Sequence, residues 1–238
     1  MSRGLIIIPA FNEEKNIGKV LEDILNLNID TDILVIDDGS KDKTKETVKK
    51  YNVDIISHIY NLGYGGALQT GFKYAVIKGY KYVILFDADG QHDHKELPLM
   101  VREIEKGDAD VILGSRFLGK GNFRTGILKG VVIWLMRFLI RLTTGAKITD
   151  PTSGFRCLSK KIYSYYAVMG NFPSDYPDAD IIIQMLKKKS IIREIPIDVK
   201  QRIEGTSMHS GLRPLMYIFK MLLSILIVLL RGMFIKEV

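Results

Sequence analysis

Mostly apolar runs alternate with stretches of helical spacing through the first half of the chain. Gly4 to Pro9, Asp32 to Ile36, Val53 to Ser57, Tyr82 to Phe86 and Asp110 to Ser115 read as strands. Most of these runs have little polar alternation, the signature of strands buried on both faces of a parallel sheet. Between them, Ile17, Val20, Leu21, Ile24 and Leu25 keep helical spacing behind Asn12 as a candidate N-cap. Further helices are predicted from Thr44 to Tyr51, from Gly63-Tyr-Gly-Gly66 through Phe72 and Ala75, and from about Lys95 to Lys106. This alternation predicts a three-layer α/β domain around a mostly parallel sheet.

The strand exits carry acid. Glu13 and Glu14 follow the first strand, Asp37 and Asp38 the second, and Asp87 and Asp89 the run Tyr82 to Phe86. Parallel strands bring these exits to one rim, the edge where open α/β sheets bind ligands. Gathered carboxylates repel and shift their pKa upward unless a cation or a donor-rich ligand sits among them. Two hard oxygen ligands one residue apart suit Mg²⁺ or Mn²⁺ shared with substrate phosphates. The plainer reading makes Asp37-Asp38-Gly39 and Asp87-Ala-Asp-Gly90 turns and the glutamates helix-start acids.

Composition narrows the partners. The 238 residues suffice for one sizeable core. A net charge of +7 fits an anionic partner: nucleic acid, a phosphorylated substrate or an anionic membrane. Cys157 is the single cysteine, which leaves no internal disulfide and suits a reducing compartment. Leu5 to Ile8 is strand length and no cleavage region follows, so no signal peptide is expected.

Five segments stand in a specific order: Pro9-Ala-Phe-Asn-Glu-Glu14, Val35-Ile-Asp-Asp-Gly-Ser40, Asp87-Ala-Asp-Gly-Gln91, Gly114-Ser-Arg-Phe117 and Asp150-Pro-Thr-Ser-Gly-Phe-Arg156. The chain thereby resembles the family 2 glycosyltransferases, and among them the dolichol- or polyprenyl-phosphate hexosyltransferases, from roughly Leu5 to Arg231. The resemblance implies a GT-A fold and a metal-dependent, inverting hexosyltransferase. Its partners would be a nucleotide diphosphate sugar (GDP-mannose or UDP-glucose) and a polyprenyl or dolichyl phosphate, with no nucleic acid. It implies a nucleotide-sugar pocket of Pro9, Ala10, Asn12, Glu13, Asp37, Asp38, Gly66, Asp87, Ala88 and Asp89, and Mg²⁺ or Mn²⁺ on Asp87, Asp89 and Gln91. Ser153, Arg156, Arg202 and Ser207 are its acceptor or phosphate contacts, and Arg116 and Arg202 its candidates to neutralise diphosphate oxygens. Asp178 and Asp180 stand near the family's general base but depart from its usual Glu-Asp pattern, and a phosphate acceptor is already anionic. A local ion pair is the plainer role for Arg156.

Two later segments point to a membrane surface. Ile127 to Leu142 interrupts its apolar sequence only at Lys129, Gly130, Arg137 and Arg141, which share an arc of about 120°. That is an interfacial helix, or a core helix with snorkelling cations. Leu215 to Leu230 is shorter than the roughly 20 residues of a bilayer span and contains Lys220. It reads as a helix lying on a membrane or pairing subunits in a homo-oligomer. The expected organisation is a catalytic domain over residues 1–210 and an associating helix over 211–238, peripheral at the cytoplasmic face of a membrane. His92 and His94 tempt a zinc reading, but no third nitrogen or sulfur ligand has suitable spacing, and both are expected as exposed loop or helix-start residues.

Rival classes remain open at this level. A transferase acting on a sugar hydroxyl would need a true base. A nucleotidyltransferase lacks its Gly-rich loop after the first strand, and an oxidoreductase has only Gly63-x-Gly65 in its favour. A non-catalytic membrane module would leave the acidic strand ends idle.

Overall fold

The computed structural model describes residues 3–119, 125–173, 177–198 and 213–234. Seven strands form one sheet: β1 (Gly4–Ala10), β2 (Thr31–Asp37), β3 (Asp54–Ser57), β4 (Tyr82–Leu85), β5 (Val111–Ser115), β6 (Arg156–Ser159) and β7 (Ile192–Pro196). Their order is β3-β2-β1-β4-β6-β5-β7, parallel except for β6, which runs against β4 and β5. Alternation along β1 shows how the layers arise. Leu5 and Ile7 enter one core, and Ile6 and Ile8 enter the other.

The second core packs α1 (Ile17–Leu25), α2 (Thr44–Val48) and α4 (Leu97–Glu105). The first packs α3 (Gly63–Lys78), α5 (Ile127–Thr144), α6 (Lys160–Ala167), α7 (Ala179–Lys187) and α8 (Arg213–Phe234). Helix α7 touches both α5 and α8. No helix among the described residues is long and apolar enough to cross a membrane.

Two expectations change. Helix α1 begins after Asn16, not after Asn12; Asn12 takes a positive φ of 56° in the loop before it. Strand β6 and helix α6 were not expected, because an antiparallel insertion interrupts the βα alternation and a buried Arg156 interrupts the apolar run around it.

Register decides which loops meet. Ala10 pairs with Asp37 across β1–β2, and Leu85 with Arg156 across β4–β6. The loops after β1, β2, β4 and β5 and the loop before β6 therefore share one rim of the sheet, with β1 central between β2 and β4.

Candidate active site

The first two loops are laced together by polar side chains. Asn12 N–H donates to Ser40 Oγ, and Lys41 N–H donates to Asn12 Oδ1 at 2.8 Å. Glu13 N–H donates to Thr44 Oγ1 at 2.8 Å, and Lys43 N–H to the Glu14 carboxylate at 2.9 Å. Asp42 accepts from Glu14 N–H and from Thr44. Its partial burial opposes ionisation, but these donors hold its carboxyl below the usual range. Glu13 Oε2 accepts from the Asn16 amide at 2.7 Å.

Asp37 and Asp38 are adjacent but have different surroundings. Asp37 is buried and accepts from Ser40 N–H at 3.1 Å. Both oxygens of Asp38 are engaged: Oδ1 with Leu62 N–H and the His58 ring, Oδ2 with Gly63 N–H. These bonds tie the tip of β2 to the start of α3 through Asp38. Gly66 follows in the first turns of α3, where an added Cβ would stand 2.8 Å from Leu62 Cβ. Pro9 and Ala10 close β1 as expected.

After β4 the chain delivers Asp87, Ala88 and Asp89. Tyr64 Oη donates to Asp87 Oδ1 at 3.0 Å, and His92 Nε2 lies 2.9 Å from Asp87 Oδ2. Burial opposes ionisation of Asp87, but His92, Tyr64 and Arg116 outweigh it and keep the carboxyl below its ordinary value. Burial and Asp87 push the Tyr64 hydroxyl well up, so it stays a donor. Asp89 Oδ1 accepts from Gln91 N–H at 3.0 Å, a bond made by the backbone of Gln91. Gly154 approaches so closely that a Cβ would meet both Asp87 Oδ2 and Tyr64 Oη at 3.3 Å.

The histidine expectation is corrected. The His92 ring is 8% exposed, stacked on Phe155 and edge-on to Phe86, with Nδ1 buried and unpartnered. His94 opens a 3-10 turn and faces Asp23. Phe155 lies far along the chain from His92, so local spacing gives no signal of an inward ring.

The arginines are also redistributed. Arg116 grips the wholly buried Asp150 through Nε at 2.7 Å and Nη2 at 2.8 Å, and Thr152 through Nη2. Burial raises and Arg116 lowers the Asp150 pKa, and Arg116 prevails. Glu194 of β7 fixes this loop by accepting from Thr149 N–H and Asp150 N–H. Arg156 is 2% exposed and donates to the carbonyls of Ser153, Pro177 and Pro151. It braces the loop and is not presented to an acceptor. Ser153 is buried beside it with an unpartnered Oγ. Arg202 and Ser207 lie outside the described residues.

The two acids of the 178–180 segment part company. Asp178 stands at the N-terminus of α7, and its charge is felt at Tyr64 and Lys129. Asp180 is buried and turned to α8, where Ser224 Oγ donates to it. Burial raises its pKa. Lys129 is exposed near the start of α5, where the charge of Arg116 is felt.

Among the described residues no cluster of three or more His, Cys, Asp or Glu side chains could hold a metal unaided. Two neighbouring carboxylates are nevertheless the usual protein share of a Mg²⁺ or Mn²⁺ site completed by substrate phosphates. The donors present fit that kind of site.

Comparison with known proteins accords with this arrangement. An uncharacterized protein of Methanocaldococcus jannaschii is 37% identical over 81% of this chain and 79% of its own. The UDP-N-acetylglucosamine–dolichyl-phosphate N-acetylglucosaminyltransferase of Methanococcus voltae is 31% identical over 81% of this chain and 83% of its own. Glucosyl-3-phosphoglycerate synthase of Mycobacterium tuberculosis, solved with Mn²⁺ and UDP-glucose, superposes with a TM-score of 0.69 at 18% identity, covering 94% of this chain and 79% of that one. Its likeness establishes the GT-A fold. Residues 5–166 match the model of glycosyl transferase family 2, and the chain belongs to that family.

Proposed function

We propose that this glycosyltransferase moves a hexose, with inversion, from a nucleotide diphosphate sugar to a polyprenyl or dolichyl phosphate at a membrane surface. The observation that carries this reading is the double aspect of α5. Its first turn carries Lys129, exposed and within electrostatic reach of Arg116, and its outward side exposes Trp134, Phe138 and Leu142. Cations gathered on one side and an apolar stripe on the other suit an acceptor that is phosphate at one end and hydrocarbon at the other. Helix α8, with Leu222, Leu223, Leu226 and Ile227 exposed, adds a second apolar surface. We take it as the membrane-associating helix of a peripheral protein at the cytoplasmic face, following a catalytic domain over residues 1–210.

In this reading Asp37 and Glu13 accept from the base and ribose of the donor. Asp87 and Asp89 hold Mg²⁺ or Mn²⁺, which would offset charge on the leaving diphosphate. Asp87 is aimed by Tyr64 and His92. Arg116 is immobilised on Asp150 at the rim where the acceptor phosphate would enter, its charge there balanced by that carboxylate. That oxygen is anionic at neutral pH and needs no strong base. The donor could be GDP-mannose or UDP-glucose, and the Methanococcus voltae relative adds UDP-N-acetylglucosamine to those worth testing.

Calorimetry with UDP and GDP, with and without Mn²⁺, tests the donor half. Binding of one nucleotide, strengthened by Mn²⁺ and lost in Asp37→Asn and Asp87→Asn, is the expected result. No heat with either nucleotide would refute the reading.

A further inference from the structure

His58 stands at the exit of β3 and has no place in the reaction just described. Its backbone N–H donates to the Asp37 carbonyl at 2.8 Å, one residue beyond the β2–β3 register. Its ring is 10% exposed, with Nδ1 2.7 Å from Asp38 Oδ1 and Nε2 2.9 Å from Thr70 Oγ1. Both ring nitrogens are thus committed, one to the tip of β2 and one to the second turn of α3. A carboxylate only accepts, so the Nδ1 proton points at Asp38.

Asp38 carries the connection onward. It also accepts from Leu62 N–H and Gly63 N–H, each at 2.9 Å, at the first turn of α3. The next residue is Tyr64, whose hydroxyl holds Asp87. The start of α3 is therefore a crossbar. One end is tied through Gly63 to the β2 tip beside Asp37, and the other through Tyr64 to the β4 tip at Asp87.

We infer that His58 is a positioning residue, bracing the crossbar that sets the spacing between Asp37 and Asp87. This rests on the nucleotide-sugar reading of the rim. A nucleoside diphosphate has a fixed reach between its base and its phosphates, so a shift of one carboxylate relative to the other weakens donor binding directly. Misplacements of about 1 Å can cost on the order of 10²-fold. Without the ring, Asp38 loses one of its donors, Thr70 keeps only its bond to the Gly66 carbonyl, and the first turn of α3 can drift from β2.

The test compares wild type, His58→Ala, His58→Gln and Thr70→Val by steady-state kinetics and by calorimetry with the nucleotide that wild type binds. The inference expects His58→Ala to raise the donor KM and the nucleotide Kd by roughly tenfold, with kcat and acceptor KM within about twofold. His58→Gln, which restores a donor to Asp38, should recover part of the loss. If His58→Ala does not fold, Thr70→Val decides: a several-fold rise in donor KM alone supports the brace. An unchanged nucleotide Kd in the folded variants overturns it, as does an equal loss in donor and acceptor KM. If wild type binds no nucleotide, the functional reading itself fails, a different result from either.

Discussion

Nε of Arg116 lies 2.7 Å from Oδ2 of Asp150, a carboxylate with no solvent exposure that also accepts from the Arg116 backbone N–H at 3.0 Å. The pair joins the end of β5 to the loop before β6. Removing one partner of a buried ion pair strands the other, at a cost of about 3–5 kcal/mol. Asp150→Ala should therefore lower the unfolding free energy by that order in a denaturant titration. Because the Asp150 pKa is depressed on folding, its contribution is present above the ordinary carboxylate range. It is lost as pH falls through the folded value, so the gap between wild type and variant should narrow in acid.

Asp180 has the opposite sign. Its pKa is raised by burial, so ionising it costs stability once pH exceeds the ordinary carboxylate value, and the cost is complete above the folded pKa. Asp180→Asn keeps an acceptor for Ile181 N–H and supplies a donor to Ser224. Thermal melts should show the variant at least as stable as wild type at pH 7, with its advantage shrinking toward pH 4. Unimpaired transfer by this variant would exclude Asp180 as a general base.

Tyr64 and His92 both bond to Asp87, and under the proposed function they would act on the reaction through it. Loss of a partner that orients a metal ligand typically costs 10–100-fold in metal affinity or activity. Tyr64→Phe and His92→Ala should each shift the Mn²⁺ dependence of activity to higher concentration by about that factor. Titration of activity against Mn²⁺ in the folded variants is the check.

Trp134 and Phe138 stack on one another on the outward side of α5, at 63% and 49% exposure. Burying such a side chain contributes about 1.5–3 kcal/mol. Trp134→Glu combined with Phe138→Glu should reduce binding to anionic vesicles by at least tenfold in a sedimentation assay. Activity on a short-chain, water-soluble prenyl phosphate should be largely retained.

Much of this was legible in the residues. Strand runs such as Leu5 to Ile8 and the acids that follow them fix a rim, because buried parallel strands leave few alternatives. Asp38, Arg156 and His92 were harder to read. Each is a polar residue whose partners lie far along the chain or are backbone groups: Asp38 on Leu62 and Gly63, Arg156 on the Pro177 carbonyl, His92 between Phe86 and Phe155. Charge type and local spacing do not reveal such partners. Arg137 shows the same limit on α5. It and Lys129 read as the basic face of an interfacial helix or as snorkelling cations; Lys129 is indeed exposed, but Arg137 Nε donates to the Thr149 carbonyl while an apolar stripe faces outward.

Sugar transfer to a lipid phosphate is tested most directly by following label from GDP-mannose, UDP-glucose and UDP-N-acetylglucosamine into the organic phase. Parallel reactions would contain polyprenyl phosphate, the corresponding polyprenol or neither, each with Mn²⁺. The account predicts label in the lipid fraction from one donor, only with the phosphate. Equal labelling of the alcohol, or none from any of these donors by an enzyme that binds their nucleotides, would contradict it.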